Sequence, residues 1–405
     1  MMNIHTFLFK TITEGEANHS ANIKQYDRIL LSETLKDNRL IDSFMYYYPN
    51  FKFHQQGEDY SVSSSNTKLS ELNMVVNILS DHKVNYVVLK GLAMRKYYPE
   101  HLPRQSIDFD FLIKDINEFL KVYKELEELG YTLDYYPIFT SEIDETKGVV
   151  ALKKELPGEH PIYIEFNIGG FLISEGTWLD DEDIWNSAKK TSYKNMEIVF
   201  PNDEWNIILL ISEFGGNKNP RIRDAVDYYF ILKSMPNINS KYLYKKIKDW
   251  CLGYQYSKFL KYYSNINNNT YIEKNTRYNK ILRMINMEIW HIIPLTLKKL
   301  KLQSLKKIIY HYLRHAGNYL NLKEIKLDLL KRYENIILPV DRVYYSGVHV
   351  NLVQLSDTTT NEWIILSDDK CVVITCPMGS FLMSNYCIHE EEELERATNL
   401  SEKVS

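Results

Sequence analysis

The chain has 405 residues and a formal net charge of −4, with 44% apolar and 25% charged residues. These proportions are typical of soluble globular proteins and argue against general disorder. No run of 18 apolar residues predicts a membrane-spanning helix, the first residues lack the pattern of a secretory signal, and four cysteines do not form a disulfide framework. We expect two or three domains, no transmembrane segment and a cytoplasmic location.

The first 66 residues are predicted to form an N-terminal helical segment. Apolar residues recur at three-and-four spacing over 28–44, which is typical of a helix with one buried face. The serine-rich stretch at 61–66 has the composition of a linker. We therefore place the first domain boundary after residue 66.

Residues 67–200 are predicted to form a core in which helices alternate with strands. Asp115 suits the N-cap of one helix, and Gly130 suits its end. The predicted elements, in chain order, are a helix at 68–82, a strand at 85–89, a helical turn at 92–98, a strand at 107–113, a helix at 115–129 and strands at 149–153 and 161–166. This order predicts a sheet domain of the α/β or α+β class.

The pattern changes after residue 200, where we predict a mostly helical domain over 201–334. Its clearest helices lie at 204–214 and 223–233, and most of 240–330 follows helical spacing. A small β-rich module over 335–405 is predicted from short apolar runs separated by Gly, Asp, Ser and Asn. The runs lie at 343–345, 348–355, 363–366 and 371–376, before an acidic tail at 390–393.

Asp108 and Asp110 form the most informative pair in the sequence. Side chains two residues apart on a strand share a face, so both carboxylates point the same way. Two carboxylates this close repel each other unless a cation lies between them. Mg²⁺ takes oxygen ligands of this kind, together with substrate phosphates. The same alternation is also typical of the solvated face of an edge strand, and the pair alone leaves both interpretations open.

Three neighbouring features favour a metal and phosphate site over a solvated strand face. Lys90 and Gly91 end a buried strand and open a helix, where backbone N–H groups and a glycine can hold phosphate oxygens. Arg104 lies four residues before Asp108, and its guanidinium suits either a phosphate or an aspartate. Glu165 interrupts an apolar strand, so it faces away from the core. Taken singly, Lys90 is equally a surface lysine and Glu165 equally faces solvent.

In this order the motifs resemble the polymerase-β-like nucleotidyltransferase superfamily. They are most similar to its bacterial branch of uncharacterised nucleotidyltransferases, which has a Leu-Lys-Gly turn and an Arg-x-x-x-Asp-x-Asp strand. The resemblance covers residues 70–235 and implies an α+β fold, with a mixed sheet and flanking helices. Leu92 stands where the superfamily commonly has a serine, and Phe166 and Asn167 stand where the branch often has a histidine.

The resemblance implies a set of site residues. Those implied for catalysis and for the metal, Mg²⁺ or Mn²⁺, are Asp108, Asp110 and Glu165. Those implied for the nucleotide are Lys90, Gly91, Arg104, Arg223 and Asp227. Glu165 would complete the metal ligands or accept the proton of the acceptor. For Arg223 and Asp227 the alternative is a surface ion-pair pattern, because Asp224 and Asp227 share one face of the predicted helix at 223–233.

The activity that the resemblance implies is nucleotidyl transfer. NMP would move from an NTP, with ATP favoured, to an unidentified acceptor, and pyrophosphate would leave. The acceptor could be a peptide or protein, an RNA or a small molecule. The alternative is a catalytically inactive binding protein on the same fold, which recognises an acidic partner or nucleic acid.

The segment 298–323 is strongly basic. Seven Lys and Arg residues and no acidic residue lie between Glu288 and Glu324. A basic helical face of this kind can bind an acidic partner, nucleic acid or an anionic membrane surface. It is equally typical of a solvated helix face that complements the acidic tail.

Overall fold

The computed structural model describes residues 2–15, 23, 26–53, 65–104, 106, 108–142, 145–157, 160–174, 177–214, 221–268, 342–345, 348–356, 364–367, 372–376, 378–384 and 391–402. These residues belong to two compact units, each assembled from separate stretches of the chain. The first unit draws on residues 1–72, 87–110 and 181–299, and the second on 73–86, 111–180 and 300–405. The predicted domain boundaries at 66, 200 and 334 stay predictions.

Among the described elements, four helices come first, and most of the strands lie within 132–200 and 342–384. The helices are α1 (Ile4–Glu14), α2 (Arg28–Asp37), α3 (Ile41–Tyr47), α4 (Ser65–Asp81), α5 (Lys90–Arg95), α6 (Ile116–Glu128), α7 (Asp183–Ser187), α8 (Asp203–Phe214), α9 (Ile222–Ser234), α10 (Ser240–Asp249), α11 (Gly253–Asn267) and α12 (Glu391–Ser401). The strands are β1 (Tyr86–Leu89), β2 (Asp108–Ile113), β3 (Thr132–Glu142), β4 (Glu145–Lys154), β5 (Ile162–Ile168), β6 (Phe171–Ser174), β7 (Thr177–Leu179), β8 (Lys189–Tyr193), β9 (Met196–Phe200), β10 (Arg342–Tyr345), β11 (Val348–Ser356), β12 (Ile364–Ser367), β13 (Val372–Cys376) and β14 (Gly379–Ser384).

Helix α6 shows how local sequence fixes the ends of an element. The carboxylate of Asp115 accepts a hydrogen bond from the backbone N–H of Glu118 at 3.0 Å, as an N-cap should. The helix ends before Gly130, whose φ of 88° is accessible to glycine at little cost. Both ends match the prediction from the sequence.

The second unit contains a mixed sheet. Its strands follow the order β5-β4-β3-β10-β11-β14-β13-β12, in which β3 and β10 are parallel and the other neighbours are antiparallel. The end of β2 joins β5, because Gly169 N–H donates to the Ile113 carbonyl at 2.9 Å. Phe111 and Phe166 stack there, with ring centroids 5.4 Å apart. With its flanking helices, this sheet confirms the predicted α+β fold.

Strand β3 was not predicted. Its pairing with β4 shifts register between Leu133 and Tyr135 and again between Tyr135 and Ile138. Pro137 lies in the second shift, where a missing N–H is tolerated. The proline and the broken alternation remove the period-two signal from the sequence, so only the pairing with β4 and β10 reveals the strand.

The C-terminal module is β-rich, as predicted. Strands β10 to β13 lie at the four predicted runs, and β14, which was not predicted, pairs with both β11 and β13. The segment predicted as an acidic tail continues into helix α12. Ala397 and Leu400 on this helix pack against Val373 and Leu382 of the sheet, so its apolar face is buried.

The core of the first unit is helical. Helix α8 is buried on most sides, with Trp205, Ile207 and Ile208 fully covered, which is typical of a central helix. Helices α8 and α9 confirm the predictions at 204–214 and 223–233. None of the described helices is long and apolar enough to cross a membrane. Residues 269–341, including the basic segment 298–323, lie outside the described residues.

Candidate active site

The turn from β1 to α5 places Lys90 beside two carboxylates. Lys90 has a φ of 48°, a left-handed conformation that is uncommon for residues other than glycine. Its Nζ lies 2.9 Å from Oδ1 of Asp110 and 3.3 Å from Oε1 of Glu213 on α8. Such backbone conformations persist where the surrounding structure holds them, and they are frequent at functional sites.

Asp108 and Asp110 lie on β2 in different environments. The side chain of Asp110 is only 2% exposed, whereas that of Asp108 is 37% exposed. Burial of an ionised carboxylate is costly unless a cation pairs with it, and Lys90 supplies that cation. Asp108 is more open to solvent, with NH1 of Arg39 4.0 Å from its Oδ1. The strand therefore presents one buried and one accessible carboxylate.

Gly91 is required by close packing. A Cβ at this position would overlap the hydroxyl of Ser106 and lie 3.1 Å from its Cβ. The carbonyl of Gly91 accepts a hydrogen bond from NH1 of Arg104 at 2.9 Å. Ser106 in turn donates from Oγ to the carbonyl of Asp108 at 3.0 Å. A hydroxyl thus lies against Gly91, although the next residue in the chain is Leu92 rather than serine.

Arg104 and Asp227 form a buried two-point ion pair. Nε and NH2 of Arg104 lie 2.8 and 2.7 Å from the two oxygens of Asp227, and both side chains are at most 4% exposed. Tyr98 Oη also donates to Asp227, at 2.6 Å. Burial and then Asp227 raise the pKa of Tyr98, so the hydroxyl keeps its proton. Arg104 therefore joins the Gly91 turn to helix α9.

Arg223 and Asp224 lie at the start of α9. Nε of Arg223 is buried and has no hydrogen-bond partner among the described residues. Burial and then Arg104 lower the pKa of Arg223, while Asp227 and Asp224 oppose this shift. Burial raises the pKa of Asp224 to about 6, against the opposing effect of Arg223.

Glu165 lies on β5 in the second unit. It is half-buried between two buried neighbours, Ile164 and Phe166, as the alternation of the strand requires. Nδ2 of the buried Asn167 donates to Oε1 of Glu165 at 3.2 Å. Within the described ranges, no three His, Cys, Asp or Glu side chains are grouped so as to hold a metal ion.

Three residues at the site were given no role from the sequence. Glu213 contacts Lys90, Arg39 approaches Asp108, and Ser106 fills the space beside Gly91. A single acid in the apolar run of α8 was an available signal for Glu213. Arg39 had no such signal, because it lies in the N-terminal segment and meets β2 only in the folded chain.

The comparisons with known proteins identify the class of protein and then the family. Residues 55–266, just over half of the chain, match the sequence model of the uncharacterised nucleotidyltransferases. The fold and this match define a protein of the nucleotidyltransferase superfamily. The chain belongs to the uncharacterised nucleotidyltransferase family.

Solved structures similar to this chain include two of low sequence identity. One is an antigenic nucleotidyltransferase-like protein from Paracoccidioides brasiliensis, with 13% identity over 51% of this chain and 93% of the other, and a TM-score of 0.30. Another is JHP933 from Helicobacter pylori, with 18% identity over 60% of this chain and 99% of the other, and a TM-score of 0.27. No curated protein matches the chain in sequence.

Proposed function

We propose that this chain is a metal-dependent nucleotidyltransferase that moves NMP from an NTP, with ATP favoured, to an acceptor and releases pyrophosphate. The observation that carries the proposal is the buried Asp110, paired with Lys90 at the turn after β1. Asp108 lies two residues away on the same strand and is accessible. Membership of the family supports nucleotidyl transfer in general.

The residues present fit Mg²⁺ or Mn²⁺. Asp108 and Asp110 offer oxygen ligands from one strand, and hard divalent ions are usually held by one or two carboxylates together with substrate phosphates. The carboxylate of Asp110 is already paired with a positive charge, that of Lys90, so its surroundings favour a cation. A bound divalent ion would stabilise the charge on the attacking and leaving oxygens.

The protein residues position and neutralise the reacting groups. The acceptor oxygen forms a bond to the α-phosphorus, the bond to pyrophosphate breaks, and its electron pair stays on the leaving oxygen. Lys90, held between Asp110 and Glu213, is suited to bind phosphate oxygens. The acceptor proton must pass to a base, and Glu165 stays a prediction for this role, which Glu165→Gln tests.

Arg104 and Asp227 support the site through the backbone. Arg104 and Asp227 are buried and hydrogen-bonded to each other, and Arg104 also binds the Gly91 carbonyl. We therefore propose that the pair holds the Gly91 turn against α9. Gly91 itself would offer its backbone N–H to the phosphates at the start of α5. Nucleotide binding by Gly91, Arg104 and Asp227 stays a prediction.

Label transfer tests the proposal. The protein is incubated with each α-³²P-labelled NTP, Mg²⁺ or Mn²⁺ and a fractionated lysate, and label is followed in protein, RNA and small-molecule fractions. We expect transfer that Asp108→Asn and Asp110→Asn each reduce at least about 100-fold, because each removes charge stabilisation at the reacting centre. The fraction that takes up the label identifies the acceptor class.

Asp134→Asn is the matched control, because Asp134 is an exposed aspartate on β3. This variant should transfer label at the wild-type rate, and circular dichroism should show all three variants folded. Folded Asp108→Asn protein with wild-type activity would refute the assignment. Nucleotide binding without transfer under either metal would favour the inactive binding protein.

A further inference from the structure

Asn38 joins the end of α2 to the start of α9. Its Oδ1 accepts the backbone N–H of Ile222 at 2.6 Å, and its Nδ2 donates to the carbonyl of Thr34 at 2.8 Å. The side chain is 7% exposed, so this contact is internal to the first unit. Arg39 follows Asn38 in the chain, and Arg223 follows Ile222. This hydrogen bond therefore brings the two arginines near each other.

Arg39 and Arg223 carry like charges that act on each other. Arg39 has a φ of 52°, and its N–H donates to the carbonyl of Lys36 at 3.0 Å, which fixes the turn after α2. Arg39 and Arg104 both act to lower the pKa of Arg223. Guanidinium groups that repel each other in this way are stabilised when an anion lies between them.

The carboxylates near Arg223 are already engaged. Asp227 uses both oxygens for Arg104 and Tyr98. Asp224 turns Oδ2 back to the N–H of Arg221 at 3.3 Å. The buried Nε of Arg223 has no partner among the residues that the structure describes. The positive end of the α9 dipole adds to the preference for an anion at this point.

We propose that Arg39 and Arg223 form a phosphate subsite that holds the triphosphate tail of the nucleotide and then the pyrophosphate product. The inference that this phosphate belongs to an NTP rests on the proposed function. NH1 of Arg39 lies 4.0 Å from Oδ1 of Asp108, so the subsite borders the carboxylate assigned to the metal. A guanidinium fork matches the geometry of phosphate oxygens.

The subsite gives the N-terminal segment a function. Arg39 precedes the range 55–266 that matches the family, so it is a nucleotide contact contributed from outside that range. The placement of Arg39 therefore depends on the hydrogen bond between Asn38, at the end of α2, and Ile222, at the start of α9.

Isothermal titration with inorganic triphosphate, without added divalent ion, tests the subsite. We expect the wild-type chain to bind triphosphate and Arg39→Gln to weaken binding at least about tenfold, the effect of losing one charged hydrogen bond. Arg223→Gln should weaken it similarly, and Arg39→Lys should restore part of the affinity. AMP should bind no worse to Arg39→Gln than to the wild type, because AMP lacks the tail.

Lys233→Gln is the matched control, since it removes an exposed positive charge from the other end of α9. Its triphosphate affinity should stay within about twofold of wild type. If Arg39→Gln does not fold, Arg39→Asn, which tolerates a positive φ, gives the same comparison. Triphosphate affinity within twofold of wild type in the folded Arg39 variant, or no binding by the wild type, would overturn the subsite.

The two proposals fail separately. Loss of label transfer in Asp108→Asn with unchanged triphosphate binding in Arg39→Gln would keep the nucleotidyltransferase and remove the subsite. Triphosphate binding that depends on Arg39 in a protein that transfers no label would keep the subsite and remove the proposed activity.

Discussion

At the scale of single residues, packing explains why position 91 is a glycine. The sequence favours a glycine that approaches phosphate, whereas the structure shows that Ser106 and Arg104 occupy the space around it. The sequence could not supply this reason, because Ser106 lies fifteen positions further along the chain and meets Gly91 only in the folded chain. The two explanations are compatible, since packing can hold the backbone in the conformation that binds phosphate.

Gly91→Ala is expected to destabilise the fold. Its Cβ would overlap the Ser106 hydroxyl, and overpacking of this kind costs about 1–3 kcal/mol in the free energy of unfolding, measured with urea. Adding Ser106→Gly should recover most of the loss because it removes the overlapping atoms. Gly253→Ala is the control, since a Cβ there meets no atom of the described residues within 4 Å. Equal stability of Gly91→Ala and wild type would contradict the packing.

Asp224 gives the fold a pH dependence of defined sign. Its pKa is raised to about 6 in the folded protein, above the 3.8 of an exposed aspartate. The folded state therefore binds the proton more tightly, and the stabilisation present below pH 3.8 is lost as the pH rises through 6. The expected loss in the free energy of unfolding is up to about 3 kcal/mol.

Urea unfolding of the wild type and of Asp224→Asn at pH 4 and pH 7.5 measures this effect. The difference in unfolding free energy between the two proteins isolates Asp224, because their other titrating groups are the same. That difference should move against the wild type as the pH rises. A difference that stays constant between the two pH values would show that Asp224 titrates normally.

At the scale of elements, long-range contacts decide what local sequence leaves open. The helices at 204–214 and 223–233 and the strand at 107–113 follow from their periodicity, because each buries one face or is buried throughout. Strand β3 and strand β14 do not, because their place depends on pairing with neighbours. The link between Asn38 and Ile222 likewise joins elements 184 residues apart.

The pair of Arg104 and Asp227 is expected to hold α9 to the Gly91 turn. Asp227→Ala leaves a buried guanidinium without its carboxylate, and the loss of one partner of a buried pair costs about 3–5 kcal/mol in the free energy of unfolding. Glu155→Ala is the control, because Glu155 is 69% exposed and its contact with Lys153 is 3.3 Å long. An exposed pair of this kind contributes about 0–1 kcal/mol. Equal losses in the two variants would mean that Arg104 finds compensation elsewhere.

At the scale of the whole molecule, the sequence predicted the α+β class and the nucleotidyltransferase resemblance. The class follows from the order of the predicted elements together with the resemblance. The resemblance follows from local motifs, since Leu89-Lys90-Gly91 and Asp108-x-Asp110 carry their information in a few adjacent residues. The sequence did not predict Arg39 or Glu213, which reach the candidate site from the N-terminal segment and from α8. Chain regions far apart in sequence therefore supply the charges around the motifs.

The most direct test of the central claim is the rate of pyrophosphate release from ATP at varied divalent ion concentration, with the labelled acceptor fraction present. We predict release by the wild type that requires Mg²⁺ or Mn²⁺ and stops with EDTA, and release at least about 100-fold slower in Asp108→Asn at every metal concentration. Undiminished release in EDTA, or wild-type release by folded Asp108→Asn, would contradict the assignment of this carboxylate to the metal.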